Sequence, residues 1–183
     1  EATGQNLDQF ALWYSQAGTP RVEVEENFSG EKYTVSFTQI LPDTPDGVVK
    51  KPMVLPLAFG LINEDGTVCS EQTDNTSVKD GVINLIRERD SITFDGVSSK
   101  PVLSILRGFS APVKLDFPQS ASDRLILAEH DSDPFNRWQA LQGLALDALK
   151  DAVTHGASAT SIITSIPGLA SSLRSILHDE SLD

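Results

Sequence analysis

Three histidines and one cysteine are the residues of this 183-residue sequence best suited to metal binding or nucleophilic catalysis. His130, His155 and His178 stand 25 and 23 residues apart. A zinc-peptidase helix needs HExxH, in which two histidines one turn apart turn their nitrogens to a single ion. No such pair occurs. Glu129 and His130 are adjacent, and adjacent helical residues point to different faces. Each histidine therefore reads as an exposed helix residue, and His155 also as a cation at a helix C-terminus. Cys69 has no neighbouring histidine or base to stabilise a thiolate, so it reads as a buried strand cysteine. There is no GxSxG nucleophile elbow and no glycine-rich phosphate loop.

Two carboxylate groups offer other chemistry. Glu23, Glu25 and Glu26 share one strand and could supply oxygens to calcium, but alternating glutamates on a strand read as its solvated face. Asp131 and Asp133 stand just ahead of Arg137. An N-cap with an ion pair to Arg137 accounts for them better than a ligand contact does. No catalytic, cofactor-binding or metal residue is assigned anywhere in the chain.

The bulk numbers agree with that poverty. The 14 Lys and Arg against 26 Asp and Glu give a net charge of −12. Residues 1–118 carry 10 bases and 17 acids, and residues 119–183 carry 4 and 9, so neither part has the basic surface that nucleic acid requires. No run approaches the roughly 20 apolar residues of a membrane span. Glu1 to Asp8 lacks the basic and apolar regions of a signal peptide. One cysteine excludes an internal disulfide and fits a reducing compartment, so a cytoplasmic chain is expected.

The elements that must position these residues fall into two regions with a short lead-in. Residues 6–16 place Leu7, Phe10, Ala11, Trp13 and Tyr14 near a helical stripe, with Asn6 as N-cap and Gly18 and Pro20 as terminators. So short a helix needs its Phe10/Trp13/Tyr14 face to pack on something. From Arg21 to Phe117 the pattern is that of strands. RVEVEE and KYTVSFTQI alternate around Ser29-Gly30, which indicates an antiparallel hairpin. A proline-rich loop, Leu41 to Pro52, leads to VLPLAFGLI, a strand expected to be buried on both faces. Asn63 to Gly66 turns into Thr67-Val68-Cys69. VINLIRE, SITFDGV with Asp95-Gly96 as its turn, and APVKLDF complete about seven short strands without an intervening helix, the pattern of a β-sandwich.

From Ser120 the strand signals stop. ASDRLILAEHDSD reads as one short helix. Asp133-Pro134 then opens a helix of about six turns, with Phe135, Trp138, Leu141, Ala145, Ala148, Leu149 and Ala152 recurring at three- and four-residue steps. His155-Gly156 closes it. After a small-residue linker, ASATS, a further helix is expected from Pro167, capped by Ser165, with Leu169, Leu173, Ile176 and Leu177 on one face. Two substantial helices bury one face poorly, so the helical region is expected to be incomplete.

Four stretches carry a family resemblance. LDQFALWYSQAGTP (7–20) resembles the junction that follows the catalytic domain in bacterial aminopeptidase N, the alanyl aminopeptidases of the gluzincin type. Lys51-Pro52 with Val54 to Leu57 is similar to that family's third-strand region, RGFSAPVKL (107–115) to its last sandwich strand, and HDSDPFNRWQA (130–140) to the start of its C-terminal helical domain. The resemblance implies an Ig-like antiparallel β-sandwich followed by a truncated helical domain. It divides the chain into residues 1–18 from the end of the catalytic domain, 19–118 as the sandwich, and 119–183 as the first helices of the C-terminal domain. It also implies a parent enzyme that removes N-terminal residues from peptides with zinc held outside this segment, by an HExxH helix and a downstream glutamate. The implied partners are the catalytic and helical domains of the same polypeptide and, for the parent, peptide substrates; no nucleic acid and no membrane are expected. The competing reading is a free-standing Ig-like protein-binding module with a helical appendage.

Overall fold

The computed structural model describes residues 6–45, 47–69, 73–156, 173–174 and 178. Its strands are β1 (Arg21–Ser29), β2 (Lys32–Ile40), β3 (Leu55–Ile62), β4 (Val78–Lys79), β5 (Val82–Leu85), β6 (Arg89–Asp95), β7 (Val102–Ile105) and β8 (Lys114–Asp116). Its helices are α1 (Leu12–Ser15), α2 (Ala121–His130) and α3 (Pro134–His155). The strands form two sheets, in the orders β6-β2-β1-β8 and β4-β5-β3-β7. The chain divides into two compact units: Glu1–Phe59, Glu71–Lys100 and Phe109–Pro118, and Gly60–Ser70, Pro101–Gly108 and Gln119–Asp183.

The first unit holds the sandwich core. In the β1–β2 hairpin Ser29 lies opposite Lys32, which leaves Gly30-Glu31 as the two-residue turn the alternation requires. Val22 and Val24 of β1, Tyr33, Val35 and Phe37 of β2, and Ile92 and Phe94 of β6 all turn inward. They meet Leu55, Leu57 and Phe59 of β3 and Ile83 and Leu85 of β5, all buried. The Phe94 ring sits 6.3 Å from that of Tyr33 and 5.5 Å from that of Phe59. Glu23 and Glu25 do lie on the outer face, but Glu26 sits in the inward register. There it accepts a 2.7 Å hydrogen bond from the Tyr33 hydroxyl and pairs with Lys100.

The strand reading needs four corrections. Thr67 to Cys69 supplies only a single bridge, Val68 to Ile62, after the expected Asn63–Gly66 turn. β4 and β7 were not anticipated: β4 has two residues, and β7 is buried at all four positions, so no alternation marks it. β3 is buried throughout only from Phe59 to Ile62, with half-exposed positions alternating before that. Finally, β8 runs parallel to β1, Arg21 facing Lys114, and periodicity carries no information on direction.

The second unit is built on α2 and α3. Ser120 and Asp123 form a capping box on α2, and Asp133 caps α3 by accepting from the Asn136 N–H at 2.9 Å, with Pro134 at the first helical position. Gly156 closes α3 in the left-handed conformation, and His155 Nδ1 shares a 2.9 Å hydrogen bond with the Asp151 carbonyl. The core here joins Leu127 and Ala128 of α2 to Ala140 of α3, Ile62 and Val102. The linker at 157–161 and the helix expected from Pro167 lie outside the described residues apart from 173, 174 and 178.

Both helical stripes face differently from the expectation. Along α3 the buried line is Asn136, Ala140, Leu144, Ala148 and Ala152, at steps of four, with Arg137 buried beside Asn136. Trp138 and Leu149, read as part of the packing face, are 54% and 49% exposed, alongside Leu146 and Val153. The lead-in is one α-turn preceded by hydrogen-bonded turns, because so few residues cannot repay helix nucleation. Its half-buried face is Gln9, Leu12, Trp13 and Gln16, while Leu7, Phe10 and Tyr14 remain exposed. Simple apolar periodicity misses both lines because each contains amides. Leu144→Ala is therefore expected to cost roughly 2–5 kcal/mol in urea unfolding, and Trp138→Ala within about 0.5 kcal/mol of zero.

Candidate functional site

Residues 51–54 enter β3 through Pro52, which has no N–H, and their carbonyls are satisfied by side chains. Lys51 O accepts from Gln16 Nε2 at 2.9 Å, Pro52 O from Gln9 Nε2 at 3.0 Å, Met53 O from Gln39 Nε2 at 3.0 Å, and Val54 O from Trp13 Nε1 at 3.0 Å. Two of these glutamines also accept from the same backbone: Lys51 N–H donates to Gln16 Oε1 at 2.7 Å and Met53 N–H to Gln39 Oε1 at 2.6 Å. Gln9 reaches the Ile86 carbonyl as well, at 2.6 Å. Four consecutive carbonyls thus hold the lead-in and the end of β2 through amide and indole donors.

A second cluster lies within the other unit, where the β7 turn meets the corner between α2 and α3. Asp131 is 2% exposed. Its Oδ1 accepts from Arg107 Nη2 at 2.9 Å and from the Asp133 N–H at 3.0 Å, and its Oδ2 accepts from Ser104 Oγ at 2.5 Å. Ser104 Oγ in turn accepts from Arg107 Nε at 2.8 Å and Asn136 Nδ2 at 2.9 Å; Asn136 Nδ2 also reaches the Ile105 carbonyl at 3.0 Å. Asp133 Oδ2 receives the Gly108 N–H at 2.8 Å. The guanidinium of Arg107 lies where a Cβ on Gly60 would be, so β3 must be bare at that position. Arg107 supplies an ion pair at this corner, and Arg137 Nε donates to the Ala128 carbonyl at 3.0 Å.

The remaining candidates are dispersed. Cys69 is buried, its N–H donating to Leu61 O at 2.9 Å. The ring of His130 lies against Gly66 (φ 83), where a Cβ would come within 2.5 Å of it. In the same turn Asp65 Oδ1 accepts from the Thr67 hydroxyl at 2.6 Å and its N–H at 2.9 Å, and these bonds hold the Asp65 carboxyl below its ordinary value. A hollow of about 460 Å³ near Leu41 and Val48 carries one cation, Lys50, whose ammonium is engaged by the Ala17 and Pro42 carbonyls. Among the described residues no three His, Cys, Asp or Glu side chains are grouped to hold a metal ion.

The residues that do the joining, Gln9, Gln16, Gln39, Ser104, Arg107 and Asn136, were not singled out by the sequence reading. A signal existed for one of them. Gln39 continues the inward register of Tyr33, Val35 and Phe37, and a glutamine in a core register must find partners.

A family model described as a domain of unknown function (DUF3458) with an Ig-like fold matches residues 18–118. The chain belongs to this family. A second model, a domain of unknown function (DUF3458_C) described as ARM repeats, matches residues 121–183. Aminopeptidase N of Escherichia coli K12 is 34% identical over the whole chain, and the match takes in 21% of that protein. The Caulobacter vibrioides and Haemophilus influenzae proteins of the same name are 39% and 32% identical over 81% of the chain and 17% of their own lengths. The chain therefore spans about a fifth of the curated relatives it matches. In fold it is similar to Legionella pneumophila aminopeptidase A solved with aspartic acid, with a TM-score of 0.77 at 23% identity over 98% of this chain and 19% of that one. The recognised resemblance to aminopeptidase N and the Ig-like-plus-helical fold class both hold.

Two outcomes check the local chemistry. Gln39→Ala strands the Met53 N–H and carbonyl and is expected to destabilise the chain by roughly 1–3 kcal/mol in urea. Thr67→Val should raise the Asp65 titration midpoint toward an ordinary carboxylate, read by NMR. A lowered value means the turn is favoured above the unfolded carboxylate pKa and loses that preference as pH falls through the folded one.

Proposed function

We propose that the chain is a non-catalytic, architectural segment of a zinc-dependent aminopeptidase whose full-length form removes N-terminal amino acids from peptides. On this reading residues 1–18 end the catalytic domain, 19–118 are the Ig-like sandwich, and 119–183 open the C-terminal helical domain. Zinc is held elsewhere in the polypeptide, and the enzyme works in the cytoplasm. The observation that carries the proposal is the pair of exposed apolar lines, Leu7/Phe10/Tyr14 on the lead-in and Trp138/Leu146/Leu149/Val153 on α3. A chain with this many acidic and polar residues has no need of such lines on a free surface, and they are suited to bury against further domains. Homology to one stretch of much longer aminopeptidases supports the same reading. The 183 residues then set the relative placement of the domains at either end, and the helical end stacks onto further repeats.

With zinc added, the isolated chain is expected to release no chromophore from an alanyl p-nitroanilide above the protein-free rate. The polypeptide encoded by the complete reading frame is expected to release it, and to stop when a chelator removes the metal. Turnover by the 183 residues alone would overturn the proposal, and so would a mature polypeptide that consists of these residues only; the latter outcome supports a free-standing binding module.

A further inference from the structure

Asp-Gly is a pair in which a backbone amide readily attacks the neighbouring side chain, because glycine has no Cβ to shield its nitrogen. Four such pairs occur, starting at Asp46, Asp65, Asp80 and Asp95. Asp46 lies outside the described residues, and the other three sit in different surroundings. Asp65 accepts two bonds from Thr67, and the Gly66 N–H already donates to the Asn63 carbonyl at 2.9 Å. The Thr67 bonds also favour the ionised Asp65 carboxylate, which is a poor electrophile. Asp95 pairs with Lys32 at 2.5 Å. Asp80 is exposed, and neither its carboxylate nor the Gly81 N–H has a partner among the described residues.

The turn that holds Asp80 is also short and strained. Lys79 faces Val82 across β4 and β5, so Asp80 and Gly81 are the whole turn, with φ 52 and 72. Glycine adopts such angles freely, and aspartate does so at a cost. One bond ties the turn to the core: Gly81 O accepts at 2.9 Å from the N–H of Phe59, a buried residue of β3.

We propose that Asp80-Gly81 is a site of spontaneous isoaspartate formation, which loosens the β4 edge of its sheet as the chain ages. The Gly81 nitrogen bonds to the side-chain carboxyl carbon of Asp80. The amide proton and the carboxyl hydroxyl leave as water, and a five-membered imide results. Water then adds to one of the two imide carbonyls. Addition at the side-chain carbonyl restores aspartate. Addition at the backbone carbonyl breaks the original peptide bond and leaves the chain running through the Asp80 side chain. A two-residue turn lengthened by one methylene no longer keeps Lys79 opposite Val82, and the Gly81 carbonyl withdraws from Phe59. The same lengthening releases Asp80 from its left-handed angle.

The test is storage of the folded 183-residue chain in neutral oxygen-18 water, followed by peptide mass mapping that separates aspartate from isoaspartate. Each passage through the imide leaves one heavy oxygen at that residue. Label at Asp80 is expected to exceed label at Asp65 and at Asp95 by at least about fivefold, the factor that one ordinary hydrogen bond represents. In guanidinium chloride, where all three pairs are released, the three rates should agree within about twofold. The chain carrying isoaspartate at position 80, isolated from the stored sample, should exchange its Phe59 amide about tenfold faster while the amides of β1 are unchanged. Label at Asp80 no greater than at the other two positions of the folded chain overturns the site. Unchanged Phe59 exchange overturns the loosening.

Discussion

The Asp131 carboxylate is out of water, and that single fact constrains everything around it. A buried carboxylate costs several kcal/mol unless charge and hydrogen bonds offset it. Here the offset comes from Arg107, the Ser104 hydroxyl and the Asp133 N–H. Arg107 can reach only by lying over the backbone of Gly60, so β3 carries no side chain at that point. Ser104 donates to Asp131 and accepts from Asn136, and Asn136 is itself the residue whose N–H meets the α3 cap. The start of α3, the end of α2, the β7 turn and one strand position are therefore solved together or not at all.

The carbonyl row at 51–54 applies the same physics with neutral groups. Proline at 52 and the approach to β3 leave backbone carbonyls without a ladder partner, and each would be costly if buried bare. Glutamine answers this well because one side chain both donates and accepts, reproducing a strand neighbour; Gln16 and Gln39 each do so on a single residue of the row. Trp13 adds one donor on a large apolar body, so a lead-in of barely one helical turn is held by directional contacts.

These two arrangements explain which parts of the fold were legible in the sequence. The β1–β2 hairpin, the cap and stop of α3 and the turn at Asn63–Gly66 were legible because they are local: periodicity, Asp-Pro, Gly and the turn residues act within a few positions. β7 was not, because four consecutive buried residues show no alternation. The parallel direction of β8 was not, because pairing direction is decided by connections far along the chain. The packing faces of the lead-in and α3 were assigned to the more apolar line, whereas the actual faces include Gln9, Gln16 and Asn136. Those amides are readable only once their partners, 35 residues away for Gln16 and 31 or 32 for Asn136, are known. The absence of a histidine pair was fully legible, since it needs no geometry.

That inversion has a functional meaning. When an element docks by its apolar side, its surplus is polar and it ends at solvent. Here the lead-in docks through amides and an indole, α3 carries an arginine and an asparagine on its buried line, and each leaves an apolar line outside. Polar contacts fix an angle more sharply than apolar ones, since hydrogen bonds fail within a few tenths of an ångström while oily surfaces slide. Apolar contacts contribute more association energy per unit area. A part whose inner contacts set direction and whose outer faces supply adhesion is preorganised before its neighbours arrive, and preorganisation lowers the entropic cost of burying those faces. A binding module for transient partners would favour the opposite arrangement, with a polar rim and a rigid apolar core, so the placement of the amides inside fits the architectural segment proposed above.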